Sequence, residues 1–286
     1  MESYFSLLLV LLSPILVAAC GMWFLRWKEG EHRRKSPISR KVCRYPGYTL
    51  TKEIESLDER LSTDLIVLFM IPAVTIGISS IGLLELSGVM GWVVFGTFYV
   101  VGIGIAISRL FRTARSLRAK RLGLAGEQVV GHQLAELYRA GFFVFHDFPL
   151  DFGNIDHIAV GPPGVFAIET KFKRKTKDEK DGHKMSYDEA FMHFPNGKTR
   201  KPLDQVQRAA NDLRGQIGRL FGDTPVIPVV VLPGWFVERR AAKTSVQVMN
   251  DKQLIGWLSK EERVLDDQKI QRVAAFIEEK CRDVSV

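Results

Sequence analysis

Asp156, Glu169 and Lys171 are the residues of this chain whose types and spacing suit hydrolytic chemistry. β-Branched and apolar runs around them predict two strands, Asn154–Val160 and Val165–Lys171, joined by the turn Gly161-Pro162-Pro163-Gly164. Side chains alternate along a strand, so Glu169 and Lys171 share one face while Phe166 and Ile168 take the other. The hairpin sets Asp156 beside Glu169, two carboxylate donors for a hard divalent cation, Mg²⁺ or Mn²⁺, with an ammonium two residues along. Hydrolysing a phosphodiester needs a polarised phosphoryl oxygen, a nucleophilic water and stabilised charge on the leaving oxygen. A carboxylate-held cation supplies the first and last, Lys171 places or deprotonates the water, and the Thr170 carbonyl can complete the metal shell. A Glu-x-Lys pair on a strand is by itself more often a solvated face, so the flanking elements decide.

Gly126-Glu127-Gln128-Val129-Val130-Gly131 reads as the opening of an amphipathic helix, with Val130, Leu134, Leu137 and Tyr138 at helical spacing up to Gly141. Glu127 then falls in the first turn. There it can orient a metal-bound water or help hold a second ion, or it can simply stabilise the helix N-terminus by up to about 1 kcal/mol. Phe142–Phe148 reads as a strand preceding the hairpin. After a basic insertion, Pro202-Leu203-Asp204-Gln205 opens a helix to about Leu220, and Val226–Leu232 is a nearly continuous apolar run, the pattern of a buried strand. The order is αβββαβ.

With these pieces in order the chain resembles the PD-(D/E)xK nuclease superfamily and, within it, the nuclease-related domain family, NERD. The resemblance covers about Leu122–Leu232 and rests on Gly126-Glu127, Asn154-Ile155-Asp156-His157-Ile158, Ala167-Ile168-Glu169-Thr170-Lys171 and Pro202-Leu203-Asp204-Gln205. It implies an α/β fold with a restriction-endonuclease-like αβββαβ core and a mixed sheet. It also implies that Asp156 and Glu169 bind the metal, that Lys171 orients or activates the attacking water, and that Glu127 and Gln205 support the site. Ile-Asp stands here where the family pattern has Pro-Asp.

Tyr4–Leu25, Leu65–Leu86 and Val89–Ile107 are almost wholly apolar, each near the roughly 20 residues that cross a bilayer. Three transmembrane helices are expected. The stretch Arg26–Thr63 carries ten Lys/Arg, and Arg109, Arg112, Arg115, Arg118, Lys120 and Arg121 follow the third span, whereas the link Glu85–Gly88 carries none. The positive-inside bias places the basic loop 26–63 and the C-terminal domain in the cytoplasm. Residues 1–121 form the membrane region and 122–286 the cytoplasmic domain in this reading, on an inner membrane. Val17-Ala18-Ala19-Cys20 looks like a lipoprotein cleavage box, but the apolar stretch continues past the cysteine, and export would carry ten basic residues across.

The formal charge of +8 has two sources. Juxtamembrane basic residues are expected beside anionic lipid. Others lie in the insertion directly after the candidate site, including Lys173, Arg174, Lys175, Lys177 and Lys180, where they would gather phosphate backbone without reading sequence. Tyr187, Phe191 and Phe194 suit a small β-hairpin packed on the domain better than base stacking. The three cysteines and six histidines show no CxxC or HExxH spacing, and Walker A, GxGxxG and nucleophile-elbow motifs are absent. The expected function is a membrane-anchored, Mg²⁺- or Mn²⁺-dependent nuclease acting on DNA, with RNA as second substrate class and the lipid bilayer as partner. The alternative is a catalytically inert, membrane-tethered module of the same fold that binds nucleic acid or protein.

Overall fold

The computed structural model describes residues 40–80, 88–175, 182–240 and 244–285. The expected first span 4–25 with Cys20, the Glu85–Ser87 part of the link, and Lys177 and Lys180 lie outside them. The chain divides into two compact units, one containing Glu53–Ala119, the other joining the segment before it, through Lys52, to everything from Lys120 onward.

Two helices make up the described part of the first unit: α1 (Tyr48–Ser80), whose first residues belong to the other unit, and α2 (Gly88–Leu134), which runs on past it. Among the described residues one helical segment, Gly88–Ala140, is long and apolar enough to cross a membrane, with mean hydropathy 2.0 and almost none of that window buried. The expected span 89–107 falls inside it. The expected span 65–86 is described as far as Ser80, within α1, so the count of three rests on sequence alone.

The second unit is built on a five-stranded mixed sheet in the order β1-β2-β3-β7-β9. Its strands are β1 (Phe143–Leu150), β2 (Gly153–Gly161), β3 (Gly164–Thr170), β7 (Val226–Val231) and β9 (Gln247–Met249). β1-β2-β3 is an antiparallel meander, while β3-β7 and β7-β9 are parallel. The crossover from β3 to β7 includes helix α3 (Lys201–Phe221), in which Pro202 sits at the helix start, where a missing N–H costs nothing. One sheet face carries Val165 and Ala167 against Ala210, Leu213 and Ile217 of α3 and Val273 and Ile277 of α5 (Asp267–Cys281). The other face carries Phe166 and Ile168 against Val130 and Leu134 of α2 and Leu254 and Leu258 of α4 (Asp251–Leu258). The insertion folds as β4 (Lys184–Tyr187), β5 (Met192–Phe194) and β6 (Gly197–Thr199), which join β8 (Phe236–Arg239) in a second sheet. Tyr187, Phe194 and Trp235 are buried there, which gives these aromatics a packing role.

One boundary differs from the sequence expectation. Glu127 is not in a first helical turn, because α2 begins at Gly88; Gly126 is an interior glycine, so a helix N-terminus has no part in explaining Glu127. The compact unit that holds the domain also takes in the segment through Lys52 ahead of the apolar helices, because the residues around Arg44 strap onto it. Val42 forms an antiparallel bridge with Val284. Arg44 Nη1 donates to the Asp147 carbonyl at 3.0 Å and to its Oδ2 at 3.1 Å, Nε donates to Asp283 Oδ1 at 2.9 Å, and Thr49 Oγ1 donates to Asp147 Oδ2 at 2.7 Å. In sequence Arg44 is one of ten similar charges, and nothing local marks it as the one with a buried partner.

Asp147 is fully buried, so removing its guanidinium partner leaves a poorly compensated charge. Arg44→Met is expected to destabilise the second unit by about 3–5 kcal/mol, measured as the urea midpoint of the full-length protein in detergent. An unchanged midpoint would show that the strap contributes nothing.

Candidate active site

β2 and β3 are zipped only as far as His157–Ile168. Beyond that pair the ladder stops, and the N–H of Thr170 is taken by Asp156 Oδ2 at 2.7 Å instead of by a β2 carbonyl. In a strand the N–H and C=O of one residue leave on the same side, so the Thr170 carbonyl faces the same gap as the Asp156 carboxylate. Glu169 shares the face of Ala167 and Val165, opposite Phe166 and Ile168, as alternation predicts. Lys171 continues the pairing of β3 with β7 through its N–H to the Val231 carbonyl at 2.9 Å, and its Nζ donates to Glu169 Oε1.

Glu127 reaches this strand end from α2. A Cβ on Gly126 would lie 2.6 Å from Phe172 Cβ, so only glycine lets the helix press against the residue that follows Lys171. A Cβ on Gly131 would lie 2.5 Å from Pro46 Cγ, where the strap crosses the same helix. Asn154 donates from Nδ2 to Asp147 Oδ1 at 2.6 Å, which ties the start of β2, two residues before Asp156, to the residue held by Arg44.

Asp156, Glu169 and Glu127 are 6 %, 2 % and 7 % exposed, too little for water to solvate three carboxylates. Burial raises the Asp156 pKa well above the ordinary aspartate range, reinforced by the charges of Glu169 and Glu127, with the Thr170 N–H and Lys171 opposing. Burial likewise raises Glu169, and Lys171 partly offsets it. For Lys171 itself, burial pulls the pKa down, but Glu169, Asp156 and Glu127 outweigh it and raise it, which favours the ammonium, a form that can orient a water. The neighbouring His146 and His157 bring no positive charge. Their Nδ1 atoms are 2.9 Å apart, burial lowers His146 to about 4 and, together with His146, takes His157 well below its usual range.

This donor set fits a hard cation. Asp156 and Glu169 supply an excess of poorly solvated negative charge, and the Thr170 carbonyl adds a neutral oxygen. Among the described residues no three His, Cys, Asp or Glu side chains cluster closely enough to hold a metal unaided. Two carboxylates completed by backbone and water are the usual provision for Mg²⁺.

The remaining expected residues are not gathered as tightly. Gln205, half-buried on the second turn of α3, lines a cavity of about 370 Å³ with Asn154, Arg208 and the β1–β2 turn, not with the carboxylates. The Lys173 Nζ lies 3.9 Å from the centre of the Phe194 ring, and the Lys173 carbonyl accepts from Trp235 Nε1 at 3.0 Å, so this lysine helps dock the second sheet. Arg174 and Lys175 are exposed. Sequence reasoning did not single out Gly126 as the close contact or Arg44 as the anchor; the glycine inside a helical pattern was the available signal for the first.

Residues 122–233 match the family model described as nuclease-related domain, NERD, which supports the resemblance seen in the motifs over nearly the same bounds. No curated protein and no solved structure matches the chain.

Because Asp156 has a raised native pKa, its protonated form favours the folded state below the ordinary aspartate range, and that contribution is lost as pH rises through the raised value. Without metal, Asp156→Asn is therefore expected to raise the Tm by a few degrees at neutral pH while keeping the acceptor for the Thr170 N–H, and to flatten the pH dependence measured by thermal melts. A lower Tm would show that Asp156 is not electrostatically strained.

Proposed function

We propose that this protein is a membrane-anchored, metal-dependent nuclease that hydrolyses phosphodiester bonds in DNA. The observation that carries the reading is the gap between β2 and β3, where Asp156, Glu169 and the Thr170 carbonyl converge beside a charged Lys171. Bound there, Mg²⁺ or Mn²⁺ would polarise the phosphoryl oxygen and stabilise charge on the leaving oxygen. Asp156 and Glu169 hold the site's negative charge and are positioned by the strand ends. Lys171 holds the attacking water in line, its ammonium kept charged by three carboxylates. Glu127, brought in by the Gly126 contact, orients a second water. The new bond is water oxygen to phosphorus, the bond broken is phosphorus to the leaving sugar oxygen, the proton lost by the attacking water passes to solvent, and the leaving oxygen takes one from solvent.

Arg174 and Lys175, exposed just past β3, support attraction of the phosphate backbone without base reading. Membrane anchoring is supported by the hydropathy of Gly88–Ala140 and by its exposed apolar side chains, including Val89, Phe98 and Val100. The basic residues following Ile107 favour a cytoplasmic second unit under the positive-inside bias.

Asp156→Ala and Glu169→Ala are expected to abolish both cleavage of labelled DNA and Mn²⁺ binding, whereas Lys171→Ala keeps the metal and loses roughly 10²-fold in rate. Full activity in either carboxylate variant refutes the site, and a wild-type protein that binds DNA and Mn²⁺ without cutting DNA or RNA identifies the inert binding module. Reversing Arg174 and Lys175 is expected to weaken DNA binding and reduce the slope of log K against log salt by about 2. An unchanged slope removes them from the interface.

A further inference from the structure

We infer that the groove between α1 and α2 is a binding site for an anionic phospholipid. The inference rests on the proposed membrane anchoring and not on the nuclease reading. The two helices run past each other with a polar mouth and an apolar trough, lined along α1 at positions three and four apart as a shared helical face requires.

The mouth is a cavity of about 570 Å³ that includes Arg60 and Thr63 of α1 and Arg109, Arg112 and Thr113 of α2. Asp64, 6 % exposed, organises it: Arg109 Nη2 lies 3.2 Å from Asp64 Oδ1, and Thr113 Oγ1 donates to Oδ2 at 3.2 Å. That pairing occupies Arg109. Arg60 and Arg112 make no ion pair with a carboxylate among the described residues, and three guanidiniums against Glu59 and Asp64 leave the mouth positive. About two turns further along α1, and about three turns earlier on α2, the lining becomes mainly apolar. Val67, Met70, Ile71 and Val74 face Phe95 and Phe98 across a cavity of about 360 Å³, with Tyr99 and Thr75 at its edge, the Thr75 hydroxyl donating to the Ile71 carbonyl. The mouth lies just past the apolar window of α2, on its basic flank, and the trough lies within it.

Charge and polarity together select the occupant. Arg60 and Arg112, without a carboxylate partner among the described residues, suit a phosphate at the boundary, which accepts the planar guanidinium fork, although Arg112 Nε also donates to the Ser108 carbonyl at 3.3 Å. The trough carries no cationic side chain for a water-soluble phosphate ester, and its mainly apolar lining suits an acyl chain. A zwitterionic headgroup would bring its own ammonium to a positive mouth, and the cytoplasmic leaflet that the basic flank would face is the anionic one. A phospholipid with a net negative headgroup satisfies both ends.

The test uses the full-length protein purified in neutral detergent and in nanodiscs of phosphatidylcholine with or without phosphatidylglycerol. Mass spectrometry of the detergent-purified protein should find retained phosphatidylglycerol, and the Tm should be higher in the phosphatidylglycerol discs than in phosphatidylcholine alone. Arg60→Gln with Arg112→Gln should reduce retention on the order of ten-fold. Val74→Trp, which fills the trough without altering charge, should reduce it as well. Retention unaffected by Val74→Trp would reduce the effect to surface charge and overturn the site. Efficient crosslinking of Val74→Cys to a cysteine placed in the apolar segment 4–25 would overturn it too, by showing that the chain itself fills the trough. Release of the protein from membranes by alkaline extraction would refute the anchoring on which the inference rests, leaving DNA cleavage as a separate question.

Discussion

The hydrogen bond from the Thr170 N–H to the Asp156 carboxylate marks where a regular hairpin becomes a site. Had β2 continued to pair with β3, backbone groups would have satisfied one another and the two strand ends would have closed. Because the ladder stops at His157–Ile168, a carboxylate takes over a ladder donor and a carbonyl is left facing it. Buried polar groups must be paired, so this single exchange forces Asp156 into the gap and sets its distance from Glu169. Burial of those carboxylates is costly for the free protein, and the same cost is what makes a cation welcome.

Holding that arrangement requires support from well outside it. Asn154 and Asp147 tie the start of β2 to β1, and Arg44 and Thr49 tie Asp147 to the strap that precedes α1. Gly126 and Gly131 allow Phe172 and the strap to press on α2 at distances that any side chain on the helix would forbid. The carboxylate cluster therefore depends on residues placed before the apolar helices as well as after them. A fragment starting at the NERD-matched segment would lose the Arg44 and Thr49 side of this network.

Positive charge serves different ends along the chain. Lys171 is held charged by carboxylates, Lys173 lies over an aromatic ring, Arg44 neutralises a buried aspartate, and Arg60 and Arg112 have no acidic partner among the described residues. These roles follow from burial and neighbours, which net charge does not report.

Much of the fold and the heart of the site were legible in the sequence because they follow from short-range periodicity. Alternation put Glu169 and Lys171 together, the Pro-Pro turn returned the chain, and the apolar run 226–232 announced a buried strand; all three stand in the structure. Local signals also act further along, as in the helix at Asp251–Leu258, where Asn250 and Gln253 form a reciprocal cap in the structure. What the sequence could not show was where a helix that reads as starting at Gly126 really begins, since a glycine inside a helix looks like a boundary until the ring of Phe172 is seen against it. Nor could it rank Arg44 above its basic neighbours, because its partners are more than ninety residues distant and burial alone makes them matter. Sequence by itself determined which residues are able to do chemistry and which face each takes. Tertiary structure decided which of them are deprived of water, and therefore which charges have to be paired.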